Sequence, residues 1–286
     1  DLIDEEVMTP VLLTGLPLPG MPLTAVDRQS GIFSSRVDIV IASGRRMMPY
    51  LRAFKSIAPP VPFTVFLKDP RYNRGDVDII WAPTHDGLEG SNVITTLTSP
   101  HTLSPTVLKH AAASAAQRFA DLPKPLTGIV LGGNSKTVQW DEKTVGQFIG
   151  YLSQLPRDGG VVVTTSRRTP DLLVNAVRTA LEGYACWIWD GVEDNPYREI
   201  LAGSDRLIVT GDSHNMVSES LASGCPVHIF RPPGMHHKLQ SFLTALENQQ
   251  LAFDLKGGFE KPATRPFDAT GEIAAEIQKR FEARML

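Results

Sequence analysis

Short runs of β-branched and apolar residues alternate along this chain with longer segments of helical period. Residues 160–165, for example, form a predicted strand, and residues 171–181 form the predicted helix that follows. This alternation is typical of βαβ units, whose strands lie parallel in one sheet with helices on its faces. The chain has 286 residues, which is about twice the length of a typical domain. The sequence therefore predicts two α/β domains, each with a parallel sheet.

A stop signal between the two halves of this pattern marks the predicted domain boundary. Residues 106–122 form a predicted helix, and the prolines at 123 and 125 end it. We expect an N-terminal domain over residues 1–124 that lacks its first strand, a C-terminal domain over residues 125–268, and a final helix over residues 269–286 that packs back on the N-terminal domain. The predicted strands are 11–14, 37–42, 63–68, 77–82, 92–95, 128–131, 160–165, 185–189, 206–209 and 227–230.

The charge of the chain excludes a general attraction to polyanions. The formal net charge is -3 and no run of Lys or Arg is present, so neither nucleic acid nor an anionic membrane is attracted by the surface as a whole. No apolar run approaches the roughly 20 residues that a membrane-spanning helix needs, and no signal-peptide pattern is present. We therefore expect a cytoplasmic protein, with peripheral membrane contact as the alternative.

Polar residues directly after the strands of the second domain are the candidate binding residues. In a parallel sheet, ligands bind beyond the carboxyl ends of the strands. Two glycines follow strand 128–131 with backbone amides that can receive an anion, and arginines, whose guanidinium groups match phosphate, follow strand 160–165. A polar turn and the start of a helix follow strand 206–209. The candidates are Gly132, Gly133, Asn134, Ser135, Ser166, Arg167, Gly211, Asp212, Ser213, Ser218 and Glu219.

Each of these loops also has a simpler structural interpretation. A Gly-Gly pair after a strand makes a turn, and adjacent arginines at a helix start are solvated. Asp212 or Ser213 caps the helix that follows. Because three such loops fall on the same sheet edge, however, we expect them to surround one anionic ligand group.

Two loops of the first domain supply the remaining candidates. His85 and Asp86 follow strand 77–82, and a carboxylate beside a histidine raises its basicity, as a general base requires. Gly44 and Arg45 follow strand 37–42 and offer further contacts for an anion. A loop histidine bonded to the backbone and a surface arginine are the simpler interpretations.

No metal site and no cofactor are predicted. Asp76 and Asp78 lead into a strand, where there is little room for an open ion site, and the adjacent His236 and His237 do not point the same way on a helix. No Gly-x-Gly-x-x-Gly follows a strand and no Walker A lysine motif is present. These absences argue against a Rossmann NAD enzyme and a P-loop NTPase.

The segment from residue 211 to residue 227 resembles the donor-site segment of GT-B glycosyltransferases. It contains Gly211-Asp212-Ser213, then Met216-Val217-Ser218-Glu219, and it returns to a strand through Gly224-Cys225-Pro226-Val227. The run is more closely similar to the ELM1 family, the mitochondrial fission ELM1 proteins of plants and their uncharacterised bacterial homologues. Supporting stretches span nearly the whole chain, at residues 42–46, 68–71, 83–86, 164–170 and 194–197.

This resemblance implies a GT-B arrangement, in which two Rossmann-like domains face each other across a cleft. It implies a transferase that binds a nucleoside-diphosphate sugar in the C-terminal domain, with no cofactor, and that transfers the sugar to an acceptor in the cleft, such as a lipid or cell-envelope group. In that fold a glutamate at the position of Glu219 binds the ribose hydroxyls. Asn195 and Tyr197 in the matching stretch 194–197 are further substrate-binding candidates.

The same resemblance assigns roles to the remaining candidates. The diphosphate is expected against Gly133, Asn134, Ser135 and Arg167, with Asp212 and Ser213 at the phosphate or the sugar. His85 is expected to act as the base or to contact the acceptor.

Two other functions stay open from the sequence. Plant members of the ELM1 family are described as recruiting a dynamin-related protein to mitochondria, which implies a non-catalytic scaffold at the mitochondrial outer surface. A nucleotide-sugar epimerase that acts in the same cleft is the third possibility. A fold resemblance does not by itself decide among them.

Overall fold

The structure is a computed structural model that describes residue 33 and residues 37–44, 47–56 and 60–285. Two compact units make up the described chain. One contains the described residues up to Thr96 together with those from Gly271 onward, and the other runs from Leu97 to Thr270. Each unit has its own parallel sheet, so the prediction of an α/β fold with two parallel sheets is confirmed.

The N-terminal unit is built on four strands, β1 (Ile39–Ser43), β2 (Phe63–Leu67), β3 (Ile79–Pro83) and β4 (Val93–Thr96), with helix α1 (Met48–Phe54) after the first. They pair in the order β1-β2-β3-β4. The two central strands are buried on both faces, which explains their nearly continuous apolar and β-branched sequence. The predicted strand 11–14 lies outside the described residues.

The last helix, α8 (Thr270–Met285), packs on the N-terminal unit. The Arg284 guanidinium donates to the carbonyl oxygen of Val61 at 3.1 Å and lies 3.2 Å from the Asp78 carboxylate. Phe281 packs edge-on against Phe63, with ring centroids 5.8 Å apart. A charged group and an aromatic ring therefore anchor the end of the chain to strands that lie far from it in sequence.

The C-terminal unit contains six strands: β5 (Leu126–Leu131), β6 (Gly160–Thr165), β7 (Cys186–Ile188), β8 (Arg206–Thr210), β9 (Val227–Phe230) and β10 (Phe253–Asp254). Its helices are α2 (Pro105–Arg118), α3 (Glu142–Leu152), α4 (Asp171–Ala180), α5 (Tyr197–Gly203), α6 (His214–Leu221) and α7 (His237–Asn248). The sequence predicted each of these strands except β10, which has only two residues.

Helix α2 belongs to the C-terminal unit, so the predicted boundary after Lys124 falls inside that unit. Its partner is α5, where a Cβ added at Gly203 would lie 2.5 Å from the Cβ of Ala115 in α2. The glycine thus permits a close approach of the two helices. Helix α2 ends at Arg118, before the prolines at 123 and 125, and these prolines do not separate the units.

The strand order of the second sheet places a topological switch point between β5 and β8. The order is β10-β9-β8-β5-β6-β7, so the chain continues from β5 to one side through β6 and β7, and to the other through β8, β9 and β10. The loops that leave β5 and β8 consequently diverge above the sheet and leave a crevice at the carboxyl ends of the strands. This crevice is the expected position of a ligand in an open parallel sheet.

Candidate functional site

A cavity of about 250 Å³ lies at the carboxyl ends of β5 and β6 and at the first turns of α6. Cavities of about 480 Å³ and about 390 Å³ lie elsewhere, and neither contains a candidate residue from the sequence. Polar side chains from three loops and from α6 converge on the smaller cavity. Its lining residues are Val130, Leu131, Gly132, Thr164, Thr165, Ser166, Arg168, Asn195, Tyr197, Ser213, Asn215, Met216 and Glu219.

The structure brings together some of the predicted binding residues and separates others. Those that line the cavity are Gly132, Ser166, Asn195, Tyr197, Ser213 and Glu219. Those that do not line it are Gly133, Asn134, Ser135, Arg167, Gly211, Asp212 and Ser218. The residues of the second group form hydrogen bonds within the fold or are exposed to solvent.

The glycine pair after β5 allows a close approach of loops and does not offer its amides to an anion. The amide of Gly132 donates to the hydroxyl of Thr210 at 2.7 Å, and the amide of Gly133 donates to the Asp212 carboxylate at 3.0 Å. A Cβ at Gly133 would overlap the carbonyl group of Arg168. The expectation that these two amides receive an anion is therefore wrong, because both already have partners within the fold.

Asn134 and Ser135 hold the loop that leads from β5 to α3. The side-chain oxygen of Asn134 accepts the amide of Trp140 at 2.8 Å, and the hydroxyl of Ser135 accepts the amide of Val138 at 3.0 Å. The amide of Ser135 donates to the carbonyl of Val138 at 2.9 Å. Both residues therefore act through loop geometry, as local side-chain to backbone bonds of Asn and Ser commonly do.

Asp212 is a buried carboxylate that joins three loops. Its side chain has 0% exposure, and it accepts the hydroxyl of Thr210 at 2.6 Å and the amide of Gly133 at 3.0 Å. The guanidinium of Arg168 lies 3.9 Å away. Burial raises the pKa of Asp212 above its ordinary value, and the bonds from Thr210 and Gly133 oppose that rise. We conclude that Asp212 positions the loops around the cavity.

Arg168, not Arg167, is the arginine of the cavity. Both arginines are exposed, but only Arg168 lines the cavity, and it donates to the carbonyl oxygen of Asn134 at 3.3 Å. The turn after β6 is fixed by Ser166, whose amide donates to Thr169 at 2.8 Å and whose hydroxyl accepts the amide of Arg168 at 3.2 Å. This turn directs the second arginine toward the ligand side. The sequence shows two adjacent arginines after β6. The geometry of the turn determines which of them lines the cavity.

The lining of the cavity includes a hydrogen-bonded Tyr-Glu pair. The hydroxyl of Tyr197, at the start of α5, donates to Oε2 of Glu219 in α6 at 2.6 Å. Burial and then the neighbouring Glu219 carboxylate raise the pKa of the Tyr197 phenol far above its ordinary value, so the phenol stays protonated and remains a donor. Beside them, Asn195 accepts the hydroxyl of Thr164 at 2.6 Å. This part of the lining therefore presents a carboxylate in a fixed orientation.

The remaining residues of the β8–α6 segment have structural roles. The hydroxyl of Ser213 caps α6 by accepting the amide of Met216 at 3.4 Å, while the residue also lines the cavity. Gly211 donates its amide to the carbonyl of Phe230 at 2.7 Å and is buried. Ser218 is fully buried and accepts the amide of Ser99 at 3.2 Å. Gly211 and Ser218 therefore bond within the fold and do not line the cavity.

The candidates of the N-terminal unit lie on two loops. His85 and Asp86 form a short 3-10 turn over Thr84–Asp86 directly after β3, and both are partly exposed. Gly44 follows β1 with φ +87°, a left-handed conformation that favours glycine. Arg45 lies outside the described residues. The assignment of His85 and Asp86 as catalytic residues stays a prediction.

Metal centres and membrane-spanning helices are both missing from the described residues. No group of three or more His, Cys, Asp or Glu is placed to hold a metal ion in this part of the chain. Asp78, which resembled half of a metal-binding pair, instead accepts the amide of Thr64 at 2.8 Å and pairs with Lys55 at 3.1 Å. Over the same residues, no helix combines the length and the apolar character needed to cross a membrane.

A sequence model of the mitochondrial fission ELM1 family matches residues 8–281. The chain belongs to this family. The ELM1 protein of Arabidopsis thaliana, named a mitochondrial fission protein, is 26% identical over 275 residues, covering 86% of this chain and 64% of the relative. An uncharacterised protein of Rickettsia prowazekii is 30% identical over 151 residues, covering 50% of this chain and 42% of the relative. This ELM1-family chain thus spans less than two thirds of either relative's length.

Solved structures resemble the ELM1-family chain at low similarity. MurG of Acinetobacter baumannii has a TM-score of 0.45 and 15% identity, covering 85% of this chain and 75% of MurG. A structure from Listeria monocytogenes, titled as a UDP-N-acetylglucosamine 2-epimerase, has a TM-score of 0.43 and 14% identity, covering 86% of this chain and 74% of the other. Similarity at this level carries no argument about what the ELM1-family chain binds.

Proposed function

We propose that the C-terminal unit binds a nucleoside-diphosphate sugar in the cavity at the β5–β8 switch point, and that the protein transfers the sugar to an acceptor. The observation that supports this most is the presence of Arg168 and Glu219 along one cavity. A cation suits a phosphate group, and a carboxylate suits the hydroxyls of a sugar. The two side chains therefore match the two ends of a ribose phosphate.

The phosphate end of the proposed site combines Arg168 with the start of α6. The guanidinium of Arg168 provides charged donors in a planar fork, which match the oxygens of a phosphate. Ser213 is the N-cap of α6, and the first amides of a helix, with the positive end of its dipole, attract anions. Since the amides of Gly132 and Gly133 donate within the fold, these two groups replace the glycine loop that the sequence suggested.

The ribose end of the proposed site is Glu219. A carboxylate only accepts hydrogen bonds, so it binds ligand hydroxyls and repels a second anion. In GT-B enzymes a glutamate in the corresponding segment binds ribose hydroxyls, and the segment from residue 211 to residue 227 resembles that segment. The contacts of Glu219 with Tyr197 keep its carboxylate at the cavity wall.

Catalysis in this proposal depends on charge stabilisation of the departing diphosphate by Arg168 and α6. Stabilising charge that develops in the transition state is usually the largest contribution of such a site. His85 is proposed as the base that accepts the proton of the acceptor hydroxyl. No residue in this scheme requires a cofactor.

Isothermal titration calorimetry with UDP-, GDP-, ADP- and CMP-linked sugars tests the proposal. We expect one of these compounds to bind, and Arg168→Ala to weaken that binding by about 10- to 100-fold, because a hydrogen bond to a charged group contributes about 1.5–3 kcal/mol. The matched control is Arg167→Ala, which removes the exposed neighbour and should change affinity by less than about twofold. No binding across the panel, or equal effects of the two substitutions, would contradict the proposal.

The printed name of the Arabidopsis relative favours a second candidate function. A mitochondrial fission protein can act as a scaffold at a membrane surface without transferring a sugar, and the cavity would then be a remnant without a ligand. This candidate predicts no heat of binding with any compound of the panel. It also predicts that Arg168→Ala and Glu219→Ala leave the biological activity of the protein unchanged.

A further inference from the structure

The hydrogen bond between Tyr197 and Glu219 gives Tyr197 a role that differs from ligand binding. We propose that Tyr197 is a positioning residue that fixes the carboxylate of Glu219 and thereby makes the cavity select ribose over 2′-deoxyribose. This inference rests on the proposed function, because it assumes that a nucleotide occupies the cavity. The inference nevertheless says more than the proposed function, since a nucleotide site can bind ribose and 2′-deoxyribose equally well.

The bond between Tyr197 and Glu219 has a defined direction. Because the phenol keeps its proton, the hydroxyl of Tyr197 donates and Oε2 of Glu219 accepts, over 2.6 Å. A bond of this length to a charged acceptor is strong, and it removes the freedom of a side chain that otherwise has several rotamers. The carboxylate is therefore held in place before any ligand arrives.

One carboxylate oxygen of Glu219 remains as an acceptor for a ligand. Among the described residues, no hydrogen bond reaches Oε1 of Glu219, and the residue lines the cavity. One carboxylate oxygen with two lone pairs can accept both hydroxyls of a vicinal diol. A fixed carboxylate with a single open oxygen therefore matches the 2′ and 3′ hydroxyls of ribose, and it loses one bond when the 2′ hydroxyl is absent.

Loss of the Tyr197 hydroxyl would release the Glu219 carboxylate from its fixed position. Without the phenol hydroxyl, Glu219 can turn so that either oxygen meets whichever ligand hydroxyl is present. The cost of a missing 2′ hydroxyl then falls, because a rearranged carboxylate is no longer left with an unsatisfied bond. Discrimination between the two sugars is expected to fall more than affinity for either one.

Calorimetry with UDP, GDP, ADP and CDP and with their 2′-deoxy counterparts tests the inference. We expect the natural chain to bind its preferred ribonucleotide at least about tenfold more tightly than the deoxy form, which corresponds to one hydrogen bond to a charged group. In Tyr197→Phe this ratio should fall to about threefold or less. The readout is the ratio of two dissociation constants, which a general loss of stability does not change selectively.

The chain supplies a matched control in Tyr184, whose hydroxyl donates to the carbonyl oxygen of Leu155 at 2.8 Å away from the cavity. Tyr184→Phe removes the same group and one hydrogen bond, and it should keep the natural ratio. If Tyr197→Phe does not fold, Tyr197→Met provides a second variant, since its flexible apolar side chain also lacks the hydroxyl that holds Glu219 and should reduce the ratio in the same way.

The outcomes separate this inference from the proposed function. If the natural chain binds a nucleotide but treats ribose and 2′-deoxyribose alike, the inference is wrong and the proposed function stands. If Tyr197→Phe keeps the ratio of dissociation constants of the natural chain, the inference is also wrong and the proposed function again stands. If no nucleotide binds, both are wrong.

Discussion

Replacing Gly133 with alanine is expected to destabilise the C-terminal unit by at least about 3 kcal/mol. A Cβ at this position would overlap the backbone carbonyl of Arg168, and the neighbouring atom, the amide nitrogen of Thr169, would lie 2.5 Å away. Backbone atoms cannot move aside as a flexible side chain can, so two loops would have to separate. Thermal or urea unfolding of the purified variant measures the loss.

The matched control for this substitution is Gly150→Ala. Gly150 lies in α3, where an added Cβ meets nothing within 4 Å. Alanine has the higher helix propensity, so this variant should be more stable by about 0.5–1 kcal/mol. Opposite signs for the same chemical change are the expected result, and a Gly133→Ala variant as stable as the natural chain would show that the two loops do not approach as described.

Lowering the pH from 7 to 4 is expected to reduce the free energy of unfolding by about 3 kcal/mol more in the natural chain than in a His228→Leu variant. His228 is fully buried in β9, and its pKa is lowered to about 4. Burial is the largest cause, and the nearby cations Arg206 and Lys261 contribute less. The unfolded histidine has a pKa of about 6.5. As the pH falls through this window, the unfolded chain binds the proton first and is favoured.

The groups around His228 support this sign. The rings of Phe253 and Phe259 lie 6.1 and 5.7 Å from the imidazole, centroid to centroid. Apolar rings and cations both oppose a charged imidazole. Urea unfolding at a series of pH values measures the difference, and His110→Leu, at an exposed position of α2, is the control that should keep the natural slope. Parallel pH profiles of His228→Leu and the natural chain would contradict the prediction.

Most of the fold could be predicted because local pattern and tertiary structure agree. Strands such as β6, Gly160–Thr165, are continuous apolar or β-branched runs buried within the sheet, and their helices begin at capping residues such as Asp141. β10 escaped prediction because two residues cannot display a period. The unit boundary escaped it because the close contact of Ala115 with Gly203 joins α2 to a helix about 80 residues away, and a linker composition does not reveal such a contact.

The candidate site was predicted at the level of loops and less well at the level of atoms. The rule that ligands bind at the carboxyl ends of parallel strands selected Ser166, Ser213 and Glu219, and these three residues line one cavity. Their role in binding stays a prediction. The choice between Arg167 and Arg168 depends on a single turn, and the sequence does not give its geometry. The partners of buried donors, such as the amide of Gly133, are equally invisible without coordinates.

Asp212 makes the evolution of the surrounding segments interdependent. One carboxylate serves as a common partner for groups that leave β5, β6 and β8. Residues that share a partner respond non-additively to substitution. A change tolerated at Thr210 in one homologue is therefore expected to be harmful in another whose residue 133 or 168 differs, and grafting a single loop between relatives should fail more often than grafting all three together.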